Sequence, residues 1–305
     1  MTIMNGAYIN GLDDATTNVN TTAQAPGTAT TDYILFSLTV HDATTGDIYY
    51  GLGSNVVASN GAVTPAAAEL LAPVVVAGVT QGHCTKVWLS LGGAGSNTFT
   101  YITTILANGG TAATNLIANL AALATSLSRL SSKITSVGFD MDNEDAPVSA
   151  VAALVVALYN HGTEQSPAVE YPFTFCAYAD HADWFDALGS VYSGLNGVQP
   201  VVGITLQTYS GGSGADPATW TSNLAAHLKD PAKQPTGLSS AEGFILPIQS
   251  MDNTAPPTYS PSKMTSNLQT WKSTGGSFWA TQALFQSSAQ PWSDYASAIA
   301  SGISS

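Results

Sequence analysis

Short apolar runs alternate along the chain with longer Ala/Leu/Ser segments whose apolar positions recur every three or four residues. The short runs predict strands near Gly6–Gly11, Tyr33–His41, Lys86–Leu91 and Ile134–Asp142, then near Phe173–Tyr178, Val201–Tyr209, Gly243–Gln249 and Ser277–Leu284. The longer segments predict helices near 64–80, 111–132, 147–160, 181–193, 217–229, 260–273 and 290–303. In the second of these, Leu116, Ile117 and Leu120 begin the stripe of a helix lying on a sheet. Asp216-Pro217 reads as a helix start, an N-cap acceptor followed by proline in the first turn.

Strands alternating with helices in this way predict parallel βα units. The expected fold class is α/β, a single (β/α)₈ TIM barrel spanning 1–305. A chain of 305 residues suits it, since such barrels usually run to about 250 residues or more. The connection 12–32 is rich in Asn, Thr, Ala and Gly and contains Pro26, so a long loop is expected there in place of the first helix.

Composition narrows the partners. Only 9% of residues are charged, and seven basic against twenty acidic ones leave a net charge of −13. A surface so poor in Lys and Arg cannot neutralise a phosphate backbone, so nucleic acid is excluded as a partner. No apolar run reaches the roughly eighteen residues of a membrane span. Met1–Gly6 has no charged or apolar signal-peptide pattern. A surface of Ser, Thr, Asn, Gln and Gly suits neutral polymers and extracellular conditions. Cys84 and Cys176 are too few for a disulfide framework and read as buried thiols. The five histidines show no ligand spacing, and His181-Ala-Asp183 reads as a helix start.

The most informative segment is Ser136-Val-Gly-Phe-Asp-Met-Asp-Asn-Glu144. Asp140, Asp142 and Glu144 occupy alternate positions, so in a strand they point the same way, about 6.5–7 Å apart. Glu144, the last of them, would emerge at the C-terminal rim where barrel enzymes carry their chemistry. No Lys or Arg is near in sequence, so burial and mutual repulsion should raise at least one pKa. A carboxylic acid kept protonated near neutral pH is what a glycosidic oxygen needs as general acid. Two other readings stay open. Asp-x-Asp resembles the opening of a calcium loop, although Asp145 stands where that loop wants glycine, and the acids could be solvated at a strand end.

Val137-Gly-Phe-Asp-Met-Asp-Asn-Glu144 resembles the Asp-Gly-x-Asp-x-Asp-x-Glu signature of glycoside hydrolase family 18, the chitinases and endo-β-N-acetylglucosaminidases. Ser90-Leu-Gly-Gly93 is similar to the family's third-strand motif and Gln207-Thr-Tyr209 to its sixth. Gly275-Gly-Ser-Phe-Trp279 resembles the eighth-strand segment whose Trp floors the central sugar site. Phe36-Ser37 on the second strand fits as well. The resemblance implies a substrate-assisted retaining mechanism, an exception to the two-carboxylate scheme. Glu144 would donate the proton, Asp142 would orient the substrate's acetamido N–H, and Asp140 would share a proton with Asp142. Tyr209 would hydrogen-bond the acetamido oxygen. Trp279, Gln207, Tyr8 and Phe36 would bind sugar, with neither metal nor cofactor. The family's first Asp is Val137 here, and its loss is expected to disturb the Asp140/Asp142 pair.

The resemblance points to a secreted, endo-acting chitinase-like enzyme on chitin or other N-acetylglucosamine oligosaccharides. The stretch between Gln249 and Ser260 has room for a short loop only, leaving an open groove. Action on N-glycans, or glycan binding without catalysis, are the alternatives. The absence of a separate binding module leaves room for a role as one subunit of a larger assembly.

Overall fold

The computed structural model describes residues 4–12, 29–81, 83–177, 179–208, 216–248, 260–279 and 292–303. In chain order the strands begin with β1 (Asn5–Ile9) and β2 (Asp32–Thr39). An antiparallel extension follows, made of β3 (Ile48–Tyr50), β4 (Val56–Ser59) and β5 (Ala62–Val63). Then come β6 (Lys86–Gly92), β7 (Ser136–Asp142), β8 (Phe173–Ala177), β9 (Val201–Gln207), β10 (Ile245–Ile248) and β11 (Gly276–Trp279). The sheet order is β1-β11-β10-β9-β8-β7-β6-β2-β3-β4-β5, and a further β1–β2 pairing closes the eight parallel strands into a barrel.

Helices surround it: α1 (Pro65–Leu70), α2 (Ala72–Gln81), α3 (Thr98–Asn108), α4 (Gly110–Ser128) and α5 (Ser149–Thr163). The remainder are α6 (His181–Gly194), α7 (Pro217–His227), α8 (Pro261–Thr270) and α9 (Trp292–Ile303). Asp216 caps α7 as its position before proline suggests, accepting from the backbone N–H groups of Ala218 and Thr219 at 3.2 and 3.3 Å.

Period-two alternation sorts the strand side chains into two environments. Odd-numbered residues such as Leu89, Phe139, Met141 and Phe175 pack outward beneath the helices. Tyr8, Ile34, Trp88, Cys176, Leu246 and Ile248 fill the barrel interior. At its N-terminal end lies the fully buried Asp32. Its carboxylate accepts from the Asn5 N–H at 3.2 Å, the Thr31 hydroxyl at 2.6 Å and the Trp88 indole at 2.9 Å, with Lys86 Nζ at 3.9 Å. Trp88 fits because its register partner is Gly138. A Cβ there would meet Trp88 Cζ3 at 2.7 Å and the Pro172 carbonyl oxygen at 2.6 Å.

Three features depart from the pattern-based expectation. The helix expected over 64–80 is two helices divided at Leu71, because Pro73 lacks an N–H and fits only the first turn of a new helix. α3 was not anticipated. Its Thr-rich sequence is weakly helix-favouring, yet Phe99, Ile102 and Ile105 form a buried stripe that packing rewards. The β3–β5 extension was not anticipated either, although Asn60-Gly61, with φ of 50° and 75°, is the two-residue turn joining β4 to β5. Most of the connection expected to be a long loop, 13–28, lies outside the described residues, as does 280–284 of the last expected strand.

The extension is fastened to the barrel by buried polar groups. Buried Asn119 of α4 accepts from the Gly61 N–H at 2.6 Å and donates to the Gly46 carbonyl at 2.8 Å. The Tyr50 hydroxyl lies 3.1 Å from the Ile9 carbonyl and 2.7 Å from that of Phe36, tying β3 to the end of β1 and to β2.

Gly138→Ala should lower the unfolding free energy by about 1–3 kcal/mol through overpacking. The cost should shrink in a Trp88→Leu background, where the ring no longer opposes the new methyl. Denaturant unfolding of the four proteins measures the coupling, and equal costs in both backgrounds would show that the ring is not what the methyl meets.

Candidate active site

Strand alternation carries Gly138, Asp140 and Asp142 of β7 into the barrel interior, one above another. The strand ends at Asp142, and Glu144 follows two residues later in the bend leading to α5. It is half-buried, whereas Asp140 and Asp142 are 1% and 4% exposed. The end of β7 is shaped by its neighbour β6. Gly92 and Gly93 have φ of 104° and 92°, conformations open to glycine, and a Cβ on Gly92 would strike the Asp142 carbonyl oxygen at 2.1 Å. That close approach lets the Gly93 N–H donate to the same carbonyl at 2.8 Å, holding the backbone of Asp142 in place.

The segment carrying Glu144 is held from both sides. Asn143 accepts from the Ala146 N–H at 3.1 Å and donates to the Ala146 carbonyl at 2.9 Å, closing a local turn. Asp145 reaches across to α3 and accepts from the Thr100 N–H at 2.9 Å. The N-cap Asn97 makes no side-chain cap bond, so Asp145 supplies that service from another segment.

Within the barrel, Asp140 takes three hydroxyl donors: Thr174 at 2.7 Å, Ser90 at 2.7 Å and Tyr8 at 3.0 Å. Gln207 Nε2 bridges the two upper acids, 2.9 Å from Asp142 Oδ1 and 3.1 Å from Glu144 Oε1. Above them is a cavity of about 210 Å³ lined by Tyr8, Phe36, Ala94, Asp142, Glu144, Cys176, Ile248 and Trp279. The structure thus brings Asp140, Asp142, Glu144, Gln207, Tyr8, Phe36 and Trp279 to one place. Tyr209 lies outside the described residues. Two other cavities, one lined by Ala118 and Arg129 and one by Tyr192 and Lys229, share none of these residues.

Sequence reasoning missed Cys176 as part of the cavity wall and Thr174 as a donor to Asp140. The signal was present: both fall on the even positions of β8, opposite the outward Phe173 and Phe175. Val137 packs outward under the helices, on the opposite face of β7 from Asp140 and Asp142, so alternation keeps any side chain at 137 away from that pair. Among the described residues, no cluster of His, Cys, Asp and Glu has the makeup of a metal site.

Electrostatics follow from burial without cations. Burial pushes the Asp140 carboxyl above its ordinary range, with the Thr174, Ser90 and Tyr8 hydroxyls pulling against it. Burial first, then the charges of Glu144 and Asp140, drive Asp142 far up. Burial also lifts Glu144; the Gln207 amide opposes this and the neighbouring Asp145 charge adds to it. Burial and the charge of Asp140 keep the Tyr8 hydroxyl protonated. Cys176 is likewise held as a neutral thiol by burial and by the charges of Asp142 and Asp140. The site therefore stores protons among its acids at pH values where free carboxyls are ionised.

The barrel is similar over nearly its whole length to the catalytic domain of a family GH18 chitinase from the fern Peteris ryukyuensis. The TM-score is 0.56, with 14% identity, covering 98% of this chain and 99% of the other. The fold is that of a family 18 chitinase. The chain is similar as well to the chitinase-like agglutinin of Robinia pseudoacacia, at TM-score 0.58 and 9% identity, covering 96% of this chain and 98% of that one. In sequence the chain matches no protein-family model and none of the curated proteins.

A carboxyl whose pKa is raised by folding binds its proton more tightly in the native state. Its cost is therefore absent below the unfolded value, near pH 4, and grows as pH rises toward the raised one. Asp142→Asn should accordingly melt above the wild type at pH 7, by about 2 °C or more. The gap should close as pH falls to about 4. Melting curves across that range check it; a gap of constant size would show that the carboxyl is not the source.

Proposed function

We propose that this protein is a family 18 glycosidase that cleaves β-1,4-linked N-acetylglucosamine chains by a substrate-assisted retaining mechanism. The observation that carries the reading is the placement of Glu144. It is half-buried at the cavity wall, lifted in pKa by burial, and joined through Gln207 to Asp142, whose carboxyl burial and the neighbouring charges also push up.

A glycosidic oxygen in the cavity would receive the Glu144 proton as its bond to the anomeric carbon breaks. Among the described residues lining the cavity the carboxyls are those of Asp142 and Glu144, side by side on one strand end rather than facing each other across a sugar. That arrangement suits an internal nucleophile, the substrate's own acetamido oxygen. Asp142 then orients the acetamido N–H and balances the positive charge that grows on that group. The three hydroxyls on Asp140 stabilise negative charge beneath it. Trp279 and Phe36 offer apolar faces to the sugar ring. Tyr209, next but one to Gln207 in sequence, is assigned to the acetamido oxygen. The connection from Ile248 to Ser260 is too short to wall a tunnel, which favours internal cleavage of a chain lying across an open groove. We place the enzyme outside the cell, where such polymers are found.

A second reading is supported by the similarity to the Robinia agglutinin: glycan binding without hydrolysis. Hydrolysis of a fluorogenic chitobioside separates the two. On the catalytic reading the wild type releases the fluorophore and Glu144→Gln is slower by about 10²–10⁴-fold, the usual worth of a general acid. Activity should persist at mildly acidic pH and fall as pH rises through the raised Glu144 pKa, because the ionised form has no proton to give. A wild type that binds chitooligosaccharide but never cleaves it would establish the lectin reading. Unchanged activity in Glu144→Gln would remove this residue as the donor.

A further inference from the structure

The charges of this barrel are sorted by end. Each helix returns the chain from the C-terminal rim, where the three acids gather, to the opposite face, so helix starts mark the rim and helix ends the far side. Asp42 lies just past the end of β2, Asp47 just before β3, which runs back along that end, and Asp145 just past β7. Asp180 and Asp183 stand at the start of α6, and Asp216 caps α7. The cations lie elsewhere. Of the seven Lys and Arg, Arg129, Lys133, Lys229 and Lys272 come after helix ends or just before strand starts. Lys86 opens β6 near Asp32, Lys233 pairs with Asp186 at 3.1 Å, and Lys263 alone stands in the first turn of a helix.

Distance keeps the two ends apart. β6 and β7, of seven residues each, span roughly 20 Å, whereas about 0.1 M salt screens charges beyond about 10 Å. The rim acids are therefore not balanced by the far cations. Nor do helix dipoles balance them, since a helix start carries about half a positive charge against the whole charge of a carboxylate. Backbone donors favour the ionised form of two of these acids. Thr44 and Thr45 N–H donate to Asp42 at 2.6 and 2.9 Å, and Ala218 and Thr219 N–H to Asp216. The floor beside the site is neutral. The candidate cavity shares Phe36 and Ala94 with a neighbouring one of about 340 Å³, lined also by Asn10, Ser37, Tyr50 and Leu52, and none of the described residues lining that second cavity is charged.

We infer that the chain this groove selects is an N-acetylglucosamine polymer carrying free amino groups, a partly deacetylated chitin, whose ammonium groups are drawn in by the negative rim. The inference rests on the glycosidase reading above, which needs an acetamido group on the reacting sugar and leaves its neighbours unconstrained. Those neighbours lie along the uncharged floor, so the amines are recognised through the field of the rim and not by an ion pair at a fixed atom. A field of this kind acts on capture, raising kcat/KM with little change in kcat.

Oligomers of one length, fully acetylated and partly deacetylated, test it at mildly acidic pH, where the amines are protonated. In about 0.01 M salt, where charges are felt to about 30 Å, kcat/KM on the deacetylated oligomer should exceed that on the acetylated one by about tenfold. In about 1 M salt, where that reach shrinks to about 3 Å, the two should agree within about twofold. A triple variant, Asp47→Asn with Asp180→Asn and Asp183→Asn, removes three rim charges while keeping side-chain shape, and Asn tolerates the left-handed backbone of residue 180. It should lose about threefold of the low-salt advantage and cleave the acetylated oligomer at the wild-type rate. No advantage at low salt, an advantage indifferent to salt, or a triple variant equal to the wild type would overturn the inference. Should the wild type cleave neither oligomer, the glycosidase reading falls by itself. Dissociation constants of the same two oligomers at the two salt levels then decide the charge inference by the same ratios.

Discussion

Two carboxyl groups rise along one face of β7 and a third follows just past its end, and among the described residues no Lys or Arg pairs with any of them. Desolvation of acids is expensive unless they are protonated or well supplied with donors. The interior of this barrel uses both remedies. The lowest acid collects three hydroxyls, the middle one retains its proton beside an amide and a thiol, and the outermost is left partly wet. The gradient from donor-rich to proton-rich to half-solvated follows from depth alone. It also gives three chemically similar side chains three different surroundings.

Support for that column comes from below and from the side. Trp88, pinned by Asp32, fills the barrel under Asp140, and Gly138 makes room for it. Gly92 and Gly93 allow β6 to lie against the end of β7 closely enough to grip the Asp142 carbonyl. The hold on Glu144 is of another kind. It sits beyond the last ladder bond of its strand, and its place is set by the Asn143 turn and by the reach of Asp145 to the start of α3. The acid is thus fixed by two short polar side chains that flank it in sequence.

Much of this was legible in the chain. The eight barrel strands and the alternation of Asp140, Asp142 and Glu144 follow from period-two patterning. Gln207, Tyr8, Phe36 and Trp279 were legible from strand-end positions and motif resemblance. The parts that were not legible share a cause. α3 is built from residues that prefer extended chain and is helical because its Phe99–Ile102–Ile105 stripe finds a place to pack and a cap from another segment. Cys176 looked like filler because its role depends on which strand stands opposite. Pairings between distant strands are not written in any one segment, and those are what local pattern cannot supply.

The Tyr50 hydroxyl, lodged between the carbonyls of Ile9 and Phe36, has a practical implication for anyone reshaping this scaffold. Surface excursions from a barrel rim are commonly treated as exchangeable modules. Here the excursion donates inward to two rim strands, one of which supplies Phe36 to the pocket. A graft that trims residues 48–63 would remove the hydroxyl that these two carbonyls share and loosen the pocket edge. Transplants at this corner should carry the tyrosine with them.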